Sequence, residues 1–226
     1  MKLTVNNLNV QAYNALKSKI LNKELPPGTR LIDTQLAKEY GISRTPLRDA
    51  IRKLTEEGLI VNDKTRKGYF VFQPSEKDIE ELFELRLMMD LAAVTKLIRE
   101  VLPNNPSAIE QLIHSFEFTS NSKDSEKGFI QRDEDFHDTI IRLTGNFRLM
   151  SYYSDISNQM RIFRKFTSSD TERMNQANSL HEQILTGLKN LDLDMATDAV
   201  KKHTKLSKQD ALRDFKYTDK ADKVEE

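Results

Sequence analysis

Arg44, Arg48 and Arg52 stand four residues apart, the spacing that puts three guanidiniums on one face of a helix. An arginine held there can offer two donors to a guanine edge or neutralise a phosphate. A second set of candidates is built on histidine, of which the chain has four. His137 follows Asp133 by one helical turn, so an imidazole and a carboxylate project together. His181 lies among Ala177, Ile184 and Leu185, and His203 between Val200 and Leu206, both on apolar faces. His114, in Leu112-Ile113-His114-Ser115, has no such company and reads as packing or surface. One histidine on an apolar face is ordinarily a hydrogen-bonded core residue. Three of them, with a carboxylate, on three helices make a better case for convergence, which spacing alone does not prove. Glu134 and Asp135 are adjacent carboxylates, but Asp133 has the i,i+4 relation to His137.

The arginines need a helix with a defined start and a buried back. Gly41 stands where a preceding helix must stop, because glycine takes the left-handed conformation without steric cost. Ser43 is an N-cap type and Pro46 falls in the first turn, where no N–H partner is missed. Leu47, Ala50, Ile51 and Leu54 then form a buried stripe, and Gly58 ends the helix. Asp33 or Thr34 is the expected cap of the helix before Gly41. Two short helices around a glycine turn make a helix-turn-helix. An αα-hairpin with a solvated arginine face has the same spacing, and the two readings stand level here.

The following residues favour the first. Leu59-Ile60-Val61, a basic stretch from Asn62 to Gly68, and Tyr69-Phe70-Val71-Phe72 read as a β-hairpin, the wing of a winged helix. Upstream, a helix over 9–23 turns Val10, Tyr13, Leu16 and Ile20 inward, and Leu25-Pro26-Pro27-Gly28 is a turn. Leu25-Pro26-Pro27-Gly28, Leu36-Ala37, Gly41-Ile42-Ser43-Arg44-Thr45-Pro46-Leu47-Arg48, Glu57-Gly58-Leu59 and Gly68 carry a resemblance. With them, residues 8–72 resemble the DNA-binding domain of the GntR family of bacterial transcription regulators. The resemblance implies that Arg44 and Arg48 read bases and that Ser43 and Thr45 touch phosphate or base edges. It also implies a wing of Lys67 and Gly68 in the minor groove. Arg52 is left between a phosphate contact and solvation. Arg66 and Lys67 alone would be solvated loop charges.

Composition agrees with two domains of different duty. Residues 1–74 hold 13 Lys and Arg against 7 Asp and Glu, a net +6, and the remainder carries −6. A basic first part suits an anionic partner. No apolar run approaches the roughly 20 residues of a membrane helix, and no signal-peptide core is present. With no cysteine there is neither a disulfide framework nor a thiolate zinc site. The expectation is a cytoplasmic protein.

Pro74 and Ser75 mark the expected boundary between a domain at 1–74 and one at 75–226. Beyond it the pattern predicts helices near 75–101, 106–121, 125–145, 147–166, 170–190 and 193–214. Breaks are expected at 104–106, 121–123, 145–146 and 190–192, with a frayed charged tail from Lys216. The expected fold class is therefore mainly α: a winged helix-turn-helix followed by an all-α bundle. Glu84-Leu85-Arg86, Leu91-Ala92-Ala93, Phe136-His137 and Gly145-Asn146 resemble the FCD ligand-binding domain of the FadR subfamily.

That resemblance implies a divalent metal ion, since many FCD domains bind one with Asp-x-x-x-His and two later histidines. Asp133, His137, His181 and His203 match the pattern. Three imidazoles and a carboxylate suit zinc, nickel or manganese and leave positions for a small carboxylate effector. Arg86 is the candidate for the effector's other anionic end, weighed equally against an i,i+4 pair with Asp90; Asn178, one turn before His181, is a candidate lining residue. Asp90 stands where the subfamily usually has Glu. The reading is a homodimeric, metabolite-responsive repressor on a palindromic double-stranded DNA operator. The alternatives are a metal-dependent hydrolase, which finds no His-Glu-x-x-His or phosphate loop, and an effector-free DNA-binding protein.

Overall fold

A computed structural model describes residues 6–120, 126–163 and 171–222. The expected break at 121–123 lies outside the described residues. The chain divides into two compact units: the chain up to Pro74 with Asn158–Ile162, and the rest from Ser75 onward.

The first unit holds α1 (Asn6–Leu21), β1 (Arg30–Leu31), α2 (Asp33–Tyr40), α3 (Arg44–Glu56), β2 (Ile60–Asp63) and β3 (Gly68–Val71). The strands form an antiparallel sheet in the order β1-β3-β2, with Leu31 opposite Tyr69 and Ile60 opposite Val71. Leu16, Ile20, Leu31, Leu36, Leu47, Ile51, Leu54, Leu59, Ile60 and Val71 make its core. These are the apolar stripes of α1, α2 and α3 closed by one face of the sheet. On α1 the inward residues are Ala12, Leu16 and Ile20; Val10 is exposed, contrary to expectation, because the buried face follows the i,i+4 row. Gly41, at φ 63°, ends α2, and its N–H bonds the last carbonyls of that helix. Ser43 occupies the N-cap of α3 without a capping hydrogen bond from its side chain. The N-cap of α2 is Ile32, not Asp33 or Thr34. The tip of the wing is Lys67, at φ 52°, while Gly68 already pairs with Asp63 as the first residue of β3.

The second unit holds α4 (Glu76–Lys96), a π-helical turn (Leu97–Val101), α5 (Leu102–Asn104), α6 (Ala108–Ser120), α7 (Glu126–Leu143), α8 (Phe147–Phe163) apart from its Asn158–Ile162 segment, α9 (Thr171–Asn190) and α10 (Leu193–Asp222). Ser75 and Asp78 form a capping box at the start of α4. The wide turn precedes Pro103, which has no N–H for the Arg99 carbonyl, and the Leu102 N–H reaches back to Leu97 instead. Leu97, Leu112, Phe136, Ile140, Ile184, Leu188, Ala196 and Val200 fill the core between α4, α6, α7, α9 and α10. The backbones of α9 and α10 pass closely: a Cβ on Gly187 would lie 2.7 Å from the Ala196 nitrogen. That approach places two of the histidine-bearing helices side by side. Helix α10 runs to Asp222, beyond the expected fraying at Lys216, because no glycine or proline interrupts it. Among the described residues, no helix is long and apolar enough to cross a membrane.

Candidate nucleic-acid interface and metal centre

On α3, Pro46, Leu47, Ala50, Ile51 and Leu54 are buried, so Arg44, Arg48 and Arg52 are turned outward. Their side chains are 52%, 62% and 70% exposed. Ser43 and Thr45 are exposed beside them at the helix start. Arg52 pairs with Glu56 one turn on, at 3.0 Å. Arg44 and Arg48 share a different partner: Asp33 Oδ2 accepts from Arg44 Nη2 at 2.8 Å and from Arg48 Nε at 2.8 Å. The two guanidiniums hold the Asp33 carboxyl below the usual carboxylate range, with Arg44 the larger cause. Asp33 drew notice in the sequence only as a cap, since a contact eleven or fifteen residues away leaves no local signal. In the wing, Arg66 packs 4.0 Å from the Phe70 ring centroid and pairs with Asp63. Arg30 donates to the Lys67 carbonyl at 3.1 Å, supporting the tip from β1. From sequence Arg66 reads only as a solvated loop charge and Arg30 is not singled out; the contacts of both depend on strand pairing.

In the second unit, Asp133 and His137 of α7, His181 of α9 and His203 of α10 converge. One donor atom from each lies within 4.8 Å of all the others, and all four residues are buried. Asp133 Oδ1 is 3.2 Å from His181 Nε2, 3.1 Å from His203 Nε2 and 3.9 Å from His137 Nε2. The Nε2 atoms of His137 and His181 are 3.3 Å apart. Ligands bound about 2.0–2.2 Å from one ion sit roughly 3–3.5 Å from each other, so three of these four separations fit a common centre and the His137–Asp133 one is longer. Burial lowers the His137 pKa and pushes His203 well below its usual value, keeping both imidazoles neutral. Neutral imidazole is the form that binds a metal.

The surroundings of His137 bear on which nitrogen has the proton. Its Nδ1 lies 3.5 Å from Asp90 Oδ2 on α4. A proton on Nδ1, facing that carboxylate, leaves the Nε2 lone pair directed at the shared centre. Burial would raise the Asp90 pKa, but His137 and Arg86 more than offset it and hold Asp90 ionised. Arg86 is buried, 3.4 Å from Asp90 Oδ2 and 3.6 Å from Asp133 Oδ2. The i,i+4 pair with Asp90 thus forms. Arg86 acts as a fixed positive charge behind both carboxylates, and Tyr153 of α8 hydrogen-bonds with Arg86 and Asp90. Asn178 is half-buried on α9, one turn before His181. His114 is exposed and apart from that cluster. We expect Asp90→Ala to weaken divalent-metal affinity about 10–100-fold, the usual cost of losing such an outer carboxylate. Calorimetric titration with zinc checks this, and unaltered affinity would remove Asp90 from the site.

Comparison with known proteins settles the family. Residues 81–206 match the FCD domain and residues 8–71 match the bacterial regulatory proteins of the gntR family. The chain belongs to the GntR family, with a C-terminal FCD domain. Among its relatives is the HTH-type transcriptional regulator YdhC of Bacillus subtilis, 26% identical over 194 residues and 86% of each chain. Another is the gluconate operon transcriptional repressor of Bacillus licheniformis, 25% identical over 80% of this chain and 75% of that one. A GntR regulator from Rhodococcus sp. RHA1 has the same fold, with TM-score 0.68 and 19% identity over 90% of this chain and 97% of that one. McbR of Escherichia coli gives 0.65 and 18%, over 94% and 99%. This family member is a DNA-binding transcription regulator and not an enzyme. The exposed ridge of α3 carries Arg44, Arg48 and Arg52, and the wing carries Arg66 and Lys67.

Proposed function

We propose that this regulator represses transcription from a palindromic operator as a cytoplasmic homodimer, and that a small carboxylate effector relieves the repression. The effector would bind at a divalent ion held by Asp133, His137, His181 and His203. Zinc, nickel or manganese would supply Lewis-acid positions that a carboxylate can occupy. The observation that carries this reading is the convergence of four buried donors from α7, α9 and α10 on one centre. Arg86, 3.6 Å from Asp133, places a guanidinium beside that centre, and in this reading it and Asn178 of α9 meet the effector. In this reading Arg44 and Arg48 read base edges, and Ser43, Thr45, Arg52, Lys67 and Gly68 meet the backbone or minor groove. A dimer is supported by Leu85 and Met88, exposed one turn apart on α4 with Ala92 another turn on. Two copies related by a two-fold axis would present two α3 helices to an inverted repeat.

The ligand can regulate only if it prefers one arrangement of the protein over another. The test uses a duplex that the protein itself selects from a random library. Footprinting of that duplex is expected to show a two-fold symmetric site. Short organic acids and sugar acids are then added to protein loaded with zinc, nickel or manganese. At least one acid should lower duplex affinity in the metal-loaded protein and have no effect after chelation. An asymmetric single half-site, or affinity indifferent to every acid at saturation, would count against the proposal.

A further inference from the structure

We infer that Asp33 is a positioning residue for sequence reading: it locks Arg44 and Arg48 together on the outer side of α3 and so sets the preference for operator over other DNA. This rests on the base-reading role proposed above for those two arginines. One oxygen of Asp33 takes a hydrogen bond from Arg44 Nη2 at 2.8 Å, from Arg44 Nε at 3.3 Å and from Arg48 Nε at 2.8 Å. The carboxylate stands in the first turn of α2, a different helix from the arginines, and is not used as its cap. Its position is therefore fixed by the packing of α2 and α3 through Leu36, Ala37, Leu47 and Ile51.

Two consequences follow from the geometry. Arg48 is held through Nε, so both of its terminal nitrogens stay available for the O6 and N7 of a guanine. A side chain already held in place loses less freedom when it binds, which favours the matching base. Phosphate is the competing partner. An arginine that swings to a phosphate must leave Asp33, and the carboxylate itself repels the backbone. The clamp thus penalises the sequence-independent mode while leaving the terminal nitrogens of Arg48 open for base contact; Arg44, bonded through Nε and Nη2, anchors the carboxylate. It is a device for discrimination more than for total affinity.

The experiment compares Asp33→Asn, Asp33→Ala, Asp33→Glu and Arg48→Ala. Each is titrated against the duplex selected by the wild-type protein and against a scrambled duplex of the same composition, at several salt concentrations. Melting curves establish that each variant is folded; Asn keeps the shape of Asp should Ala disturb α2. Asp33→Asn is expected to lower the ratio of selected to scrambled affinity by about tenfold, the scale of one good base contact. Scrambled-duplex affinity should rise, with its logarithmic salt slope steeper by about 0.9 for one more phosphate contact. Glu should restore most of the ratio, since its carboxylate can still reach an arginine. A ratio within about twofold of wild type in Asp33→Asn, while Arg48→Ala loses selection, overturns the positioning role alone. If Arg48→Ala also keeps full selection, the base-reading assignment falls and the role of Asp33 with it.

Discussion

Arg48→Ala should abolish site-specific DNA binding while leaving the fold and the proposed dimer intact. The side chain is mostly exposed and, among the described residues, bonds to Asp33, so its loss opens no cavity. A bidentate arginine–guanine contact discriminates by roughly 1–3 kcal/mol, and a dimer would make it twice. Operator affinity should therefore fall about a hundredfold or more at fixed salt, whereas affinity for scrambled DNA changes little. Arg52→Ala is the contrast. Its side chain is paired with Glu56 farther along α3, and its loss should weaken all duplexes alike. Fluorescence anisotropy with the selected duplex separates the two patterns. Unchanged operator affinity in Arg48→Ala would end its assignment as a base reader.

Removal of the ion is expected to have the second large effect, on stability. A ligand present at a hundred times its dissociation constant stabilises the native state by about 2.7 kcal/mol. For a chain of this size that corresponds to a melting temperature about 5–10 °C higher with metal than after chelation. His181→Ala should remove most of that difference, because one of four donors is gone from a buried site. Thermal melts with and without zinc, on both proteins, measure it. A wild-type melting temperature indifferent to zinc, manganese and nickel would leave the cluster as hydrogen-bonded core. The full burial of the donors also admits an ion that only braces α7, α9 and α10. In that case chelation would lower the melting temperature and leave the response to added acids unchanged.

Both effects trace to residues that the sequence brings forward for different reasons. The arginine ridge was legible because every determinant is local. Gly41 stops one helix, Pro46 fits the first turn of the next, and Leu47, Ala50, Ile51 and Leu54 fix its buried face. Once that face is set, the orientation of residues 44, 48 and 52 follows from 3.6 residues per turn. The β-hairpin was legible from its two apolar runs, although the turn is made by Lys67 at positive φ and not by Gly68. Pattern recognition could not say which residue of a basic tip would take the left-handed conformation. Val10 was misplaced for a related reason, since apolar character suggests a face without dictating it.

The histidines show the limit more sharply. Their positions on apolar faces and the turn between Asp133 and His137 are sequence facts, but three separate helices have no common frame until they pack. The close passage of α9 over α10 at Gly187 and Ala196 helps supply that frame. Asp90 was visible as a departure from a pattern and as an i,i+4 partner of Arg86, and Asp33 as a cap candidate; that they stand beside His137 and between two arginines was not. By itself, then, the sequence determined the family, the helical and winged classes of the two halves, and which side chains could carry charge or bind metal. Tertiary structure alone decided which of them meet. Hydrophobic periodicity orients a side chain on its own element, and distances between elements are set by packing across many residues of separation.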